Sequence, residues 1–264
     1  MVGKHATETP EPGHDAGDRL PPLLRAFGVL ERIAAVDRPV SAAEIAELTG
    51  LPRPTAWRIL ATLESADLIA REPGSRRYRP GARLSRFALD VLQTAPDRGP
   101  RHLILDALAK RVGETCNLTM LDAGEVVYLD RVESAWPLRM TLQPGSRVPL
   151  HCTASGKLLL ALMPAARRDR LVADLPLPRF TSRTIVDRAR FSAELARIRR
   201  TRVATDDEEY LDGLVCAAVP VAGPGQRVVA SVAVQAPRVR MSLEGALGHV
   251  PALREAAIAL ARTL

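Results

Sequence analysis

Six arginines and a single acid, Glu72, lie between Arg71 and Arg86. Guanidinium groups at that density match phosphate oxygens, so the chemistry on offer is neutralisation of a polyanion. Just upstream, Ala56, Ile59, Leu60 and Leu63 recur at helical spacing and face a core, which leaves Arg53, Thr55, Trp57, Arg58 and Thr62 on the outside. An outward Trp among arginines calls for a partner surface. The nucleophilic and metal-binding residue types show no such pattern. Cys116, Cys152 and Cys216 are widely separated and odd in number, with no C-x-x-C pair for a metal. His151 stands beside Cys152, but adjacent residues of a strand point to opposite faces, which speaks against a Cys-His pair. Ser155-Gly156-Lys157 lacks the upstream glycine and the following Ser or Thr of a phosphate loop. No catalytic residue, metal or cofactor is assigned.

The elements that must position the arginines can be read from the same stretch. Ser41 followed by Glu44 is a capping box, opening a helix with Ile45 and Leu48 on one side and Gly50 at its end. Pro52 and Pro54 interrupt it. Pro54, with no N–H to lose, suits the first position of a second helix running to about Ser65. In such a pair the N-terminal part of the second helix enters the major groove, so Arg53, Thr55, Trp57, Arg58 and Thr62 are placed to meet DNA. Leu68-Ile69 and Arg76-Arg77-Tyr78-Arg79 are strands around the turn Pro73-Gly74-Ser75, a wing whose Arg76, Arg77, Tyr78 and Arg79 contact the flanking backbone. Leu20 to Val36 forms a helix behind the pair, with Leu24, Phe27, Leu30 and Ile33 as its buried stripe. Leu84 to Leu92 repeats apolar residues at helical spacing and reads as a linker helix.

Composition agrees with this reading. A net charge of +7 and a sequence pI near 10.0 favour a polyanionic partner. With 264 residues, 47% of them hydrophobic, two small domains are expected. Met1 to Asp18 has almost no large apolar residues and is expected to be disordered. No run is apolar enough to cross a membrane, the N-terminus lacks a signal-peptide core, and unpaired cysteines fit a reducing compartment, so a cytoplasmic location is expected.

From Arg101 helices and strands alternate. Leu103 to Val112 is a helix, and Thr115 to Leu121 and Val126 to Val132 are strands around a tight turn. Leu138 to Leu142 is a third strand. Helices follow at Thr153 to Met163, Ala165 to Ala173 and Phe191 to Arg200. Leu214 to Val221 and Arg227 to Gln235 make a second hairpin, and Ser242 caps a terminal helix to Leu264. The layout is α+β, a mostly antiparallel sheet flanked by helices. On the last strand Val228, Ala230, Val232 and Val234 meet one helical layer, so Ser231, Ala233 and Gln235 face the other way; Leu214 and Cys216 share a face of the neighbouring strand. Thr153 to Gly156 sits at a helix N-terminus, where free N–H groups attract a carboxylate.

The segments Val148-Pro-Leu-His-Cys-Thr-Ala-Ser-Gly-Lys-Leu-Leu-Leu-Ala161, Leu195-Ala-Arg-Ile-Arg-Arg200, Asp206-Asp-Glu-Glu209, Gly213-Leu-Val-Cys216 and Ala218-Val-Pro-Val221, in this order, resemble the IclR family of bacterial transcription regulators across nearly the whole chain after the tail. Ala236-Pro237 stands where the family usually has glycine-proline. The resemblance implies a winged helix-turn-helix domain and a GAF-like effector-binding domain in a homodimer or dimer of dimers. It also implies repression of metabolic genes from double-stranded operator DNA until a small organic acid binds. The family's pocket maps onto Ala154 and Ser155, whose backbone amides hold the acid, and onto Asp206, Leu214, Cys216, Ala233 and Gln235, with Met140 and Leu138 at the mouth. In the family's glyoxylate and pyruvate sensor positions 233 and 235 are serines, so a different effector is expected here. The domains are then a tail at 1–18, the winged domain at 19–83, the linker helix and hinge at 84–100, and the effector-binding and oligomerisation domain at 101–264. Two other readings stay open: a small Cys-dependent hydrolase, and a protein-interaction module built on the winged helix.

Overall fold

The computed structural model describes residues 20–36, 38–94, 98–122, 124–136 and 145–264. The expected N-terminal tail, the strand Leu138 to Leu142 and the pocket residue Met140 lie outside them. The chain divides into two compact units, Met1–Arg86 and Phe87–Leu264.

The first unit runs α1 (Pro22–Ala35), β1 (Val40–Ser41), α2 (Ala42–Thr49), α3 (Arg53–Ser65), β2 (Ile69–Arg71) and β3 (Arg77–Pro80), ending in the first turn of α4 (Ala82–Thr94). The capping box is formed: Ser41 Oγ accepts from Glu44 N at 3.2 Å, and Glu44 Oε2 accepts from Ser41 N at 2.8 Å. Those bonds hold the Glu44 carboxyl down at about 2. Gly50 closes α2 with φ 66°, a left-handed conformation that suits glycine. The helix α3 begins at Arg53, so Pro54 takes its second position rather than its first.

Val29, Ile33, Ile45, Ala56, Leu60, Leu63 and Ile69 fuse into one core. The expected stripe of α1 is wrong by one face: Leu24 and Phe27 are exposed, and Val29 joins Ile33 inside. Leu48, expected beside Ile45, is also exposed. The wing is a three-stranded antiparallel sheet in the order β1-β3-β2, in which the central Tyr78 pairs with Val40 on one side and Arg71 on the other. Parity along β3 therefore turns Arg77 and Arg79 outward and Tyr78 into the core.

The second unit holds α5 (Arg98–Val112), the hairpin β4 (Thr115–Asp122) and β5 (Glu125–Val132), β6 (Arg147–Val148), α6 (Ala154–Ala161), α7 (Ala165–Asp174), α8 (Arg188–Thr201), β7 (Ala204–Asp207), the hairpin β8 (Leu214–Ala222) and β9 (Val228–Pro237), α9 (Leu243–Gly248) and α10 (Val250–Leu260). Two differences from expectation concern helices. The chain is helical from Arg98 rather than Leu103, and the single terminal helix is two, because Pro251 has no N–H to continue α9 and instead opens α10.

The strands form one antiparallel sheet in the order β6-β5-β4-β9-β8-β7. Its two faces are covered by different helices. Ala230, Val232, Val234 and Ala236 of β9 pack with Leu105 of α5 and Leu253 of α10, while Ala233 of β9 and Cys216 of β8 pack with Leu158 of α6 and Phe191 of α8. This is the period of two expected for a strand buried on both sides.

Candidate functional site

The first site is the outer face of α3 with the wing. Arg53, Trp57, Arg58 and Thr62 are exposed and Thr55 is half-buried, whereas Ala56, Leu60 and Leu63 are sealed inside. Trp57 keeps 54% of its surface in solvent although nothing in the core forces it there. The wing arginines divide by partner. Arg77 donates to Glu44 and to the Pro39 carbonyl, both at 3.2 Å. Arg71 pairs with Glu64 at 2.9 Å and lies over the Tyr78 ring. Arg76, just before β3, and Arg79, at an outward position of β3, are exposed. Tyr78 was expected at the DNA surface and is 3% exposed, so its ring supports the wing from within.

The second site lies where α6 meets the sheet. Thr153 caps the helix: its Oγ1 accepts from Gly156 N at 3.1 Å and donates to the Pro149 carbonyl at 2.7 Å, and its own carbonyl accepts from Lys157 N at 3.0 Å. The Ala154 and Ser155 amides are left, and neither meets an acceptor among the described residues. The Gly156 position has no space for a side chain, since a Cβ there would stand 2.4 Å from the Leu150 carbonyl oxygen. That close approach folds Leu150 to Thr153 across the helix start.

In front of the two amides is a narrow cavity lined by Asn117, Val126, Tyr128, Val148, Thr153, Ala154, Ser155, Asp206, Tyr210, Leu214, Cys216 and Gln235. The expected Ala154, Ser155, Asp206, Leu214, Cys216 and Gln235 are thus brought together. Ala233 is not among the lining residues; it packs against α6 and α8. Asn117, Tyr128 and Tyr210 escaped the sequence reading, although the outward parity of Asn117 on β4 was available to find the first.

Asp206 is a buried acid. It lies on β7, 2% exposed, and accepts from Glu209 N at 2.7 Å and Tyr210 N at 3.3 Å. Burial pushes its carboxyl up to about 7, against the pull of those two backbone donors. Behind it Lys157, fully buried, pairs with Glu209 and with Glu194 at 3.4 Å. The phosphate-loop-like Ser-Gly-Lys therefore ends in a structural ion pair. Above Tyr210, Phe180 and His151 make a short aromatic ladder with centroids 5.4 and 5.8 Å apart.

The cysteines have no nucleophilic setting. Residues 150–153 form a bend rather than a strand, so the opposite-face argument for His151 and Cys152 does not apply. The imidazole Nε2 donates instead to the Pro178 carbonyl at 2.9 Å. Burial raises the Cys152 thiol to about 12 and pushes Cys216 well above its ordinary value. Among the described residues no group of His, Cys, Asp and Glu is arranged to hold a metal.

A winged helix-turn-helix with an exposed arginine and tryptophan face, joined to an α/β domain with a polar buried cavity, defines a class: a transcription regulator with a ligand-binding domain. The description "IclR helix-turn-helix domain" matches residues 22–73, and "Bacterial transcriptional regulator IclR C-terminal" matches residues 92–262. The chain belongs to the IclR family of transcriptional regulators. It is 49% identical over 240 residues to the probable transcriptional regulator SauR of Cupriavidus necator, covering 91% of this chain and 95% of that one. The structure of the Thermotoga maritima IclR superposes with a TM-score of 0.61 at 31% identity over 92% of this chain and 98% of that one. An IclR homolog from Microbacterium hydrocarbonoxydans, crystallised with 4-hydroxybenzoate, superposes with a TM-score of 0.58 at 26% identity over 92% and 99% of the two chains.

Proposed function

We propose that this regulator is a repressor of metabolic genes in the bacterial cytoplasm, released from its operator when a small organic acid enters the α6 cavity. The observation that carries the reading is the pair of orphan amides at Ala154 and Ser155, facing a buried polar cavity from the positive end of a helix. A carboxylate is the ligand that completes both donors. The 4-hydroxybenzoate bound to the Microbacterium relative is itself an acid, which supports this chemistry.

On the DNA side, Arg53, Thr55, Trp57, Arg58 and Thr62 of α3 read the major groove, and Arg76, Arg77 and Arg79 hold backbone phosphates. A homodimer or dimer of dimers presents two such helices to a pseudopalindrome. Effector binding shifts the population of DNA-binding arrangements through α4, a coupling that is reciprocal by linkage. Footprinting on the DNA flanking the protein's own gene tests the reading. A protected two-fold site that opens on addition of one member of an acid panel is expected. No protected site, or a site indifferent to every acid, contradicts the DNA half or the effector half respectively.

A further inference from the structure

The far end of the cavity contains a polar relay of Arg131, Gln235 and Asn117, of which family resemblance pointed to Gln235 alone. Arg131 of β5 is buried, at 8% exposure, with its guanidinium beside the Gln235 amide of β9. A guanidinium has donors only, so Gln235 must turn its carbonyl to it, where it accepts from both terminal nitrogens at 3.2 Å. The Gln235 NH2 then faces the Asn117 amide 3.0 Å away. Only an Asn117 carbonyl can accept from it, so Asn117 directs its NH2 the other way. That second amide atom has no partner among the described residues, and Asn117 is 1% exposed while lining the cavity. A fixed donor, polarised through two amides by a cation, therefore faces the ligand.

The two ends of the cavity are separated. Ser155 Oγ meets Ser231 Oγ of β9 at 3.2 Å, and Asn117 stands opposite Ala233, two residues further along that strand. Two residues of antiparallel strand span about 7 Å. A ligand anchored at α6 by a carboxylate can therefore meet Asn117, on the same cavity wall further along the sheet, through a second group at its other end.

We infer that the effector is a bifunctional acid, a short chain with a carboxylate at α6 and a second oxygen acceptor, best an oxyanion, held by the Asn117 NH2 that Arg131 and Gln235 orient. This rests on the acid-responsive reading above and names its ligand class. Asn117 is the contacting residue; Gln235 and Arg131 are positioning residues.

The test is calorimetric binding of butyrate, succinate and succinamate to the full chain. The last two add a charged and a neutral oxygen acceptor to a similar chain length. Both are expected to bind about tenfold more tightly than butyrate, the worth of one buried hydrogen bond to an otherwise unpaired donor. In Gln235→Glu the carboxylate still accepts from Arg131 but has no N–H to offer, so Asn117 turns its NH2 inward and presents its carbonyl to the ligand. Gln235→Leu removes the relay without adding charge. In both variants the preference for succinate and succinamate over butyrate is expected to fall below about twofold, and loss of the preference for the neutral succinamate is a result that charge repulsion would not produce. Equal binding of all three acids to the wild type, a preference that survives both substitutions, or no binding of any probe at millimolar concentration would overturn the inference. Failure of the underlying reading shows elsewhere, in the operator footprint and in the effect of removing the α6 amides.

Discussion

Replacing Ala154 with proline removes one of the two α6 amides and little else, so it isolates the contribution of that donor to effector binding. Ala154 is the first residue of the helix, where proline's fixed φ is compatible and the missing N–H breaks no helical bond. The preceding Thr153 has φ −105° and ψ 147°, the extended conformation that a residue before proline adopts. Folding should therefore lose on the order of 1 kcal/mol, mainly from fitting ring carbons at a site that is 1% exposed. A hydrogen bond to a charged group contributes roughly 1.5–3 kcal/mol, and 1.4 kcal/mol is a factor of ten, so acid affinity should fall roughly ten- to a hundredfold. The assay is operator release by titrated acid, followed by fluorescence anisotropy, with thermal unfolding as the control for fold. The expected pattern is unchanged operator affinity, a near-native midpoint and a release curve displaced by that factor. A release curve superimposable on the wild type would refute the assignment of the carboxylate to this helix end.

Four further outcomes follow from buried or surface charge. Lys157→Met leaves the buried Glu209 without its cation, while Glu194 keeps Arg197 at 2.7 Å, and thermal unfolding of the second unit should show a loss of about 3–5 kcal/mol. Asp206 titrates higher in the fold than in the unfolded chain, so the native state holds the extra proton between about 4 and 7 and stability falls as pH rises through that window; denaturant unfolding of Asp206→Asn should show a smaller decline from pH 5 to pH 8. Arg76→Ala should weaken operator binding and flatten the slope of log affinity against log salt by about 1, as one lost phosphate contact requires. Arg77→Ala should have the smaller effect on that slope, because Glu44 already engages its guanidinium.

What the sequence disclosed, and what it hid, follows from the range of the interactions involved. Local signals were readable: the Ser41 and Glu44 box, Gly50, the Thr153 cap and both hairpins depend on residues within a few positions of each other. The α1 stripe was not, because Leu20, Leu23, Leu24 and Phe27 offer an apolar face as continuous as the one through Val29 and Ile33, and periodicity cannot say which face a neighbour covers. Tyr78 was misplaced by its arginine neighbours; strand parity, applied to β3 alone, would have turned it inward. The strand β7, Ala204–Asp207, was not among the strands expected, because its second half belongs to an acidic run without apolar alternation. Lys157 is a buried charge held by Glu194 and Glu209, partners far away in sequence that no local pattern could assign to it. Family resemblance named Asp206 and Gln235, which line the cavity, and did not name Asn117, which lines it too.

The central claim is that one ligand-responsive protein couples the α3 face to the α6 cavity, and reciprocity tests it most directly. Succinate affinity is measured by calorimetry with the protein free and with the protein saturated by its operator, and operator affinity is measured with and without saturating succinate at the same salt. If the two sites are coupled, both ratios exceed one and are equal. A succinate affinity unchanged by operator would contradict the claim, however well the protein binds DNA.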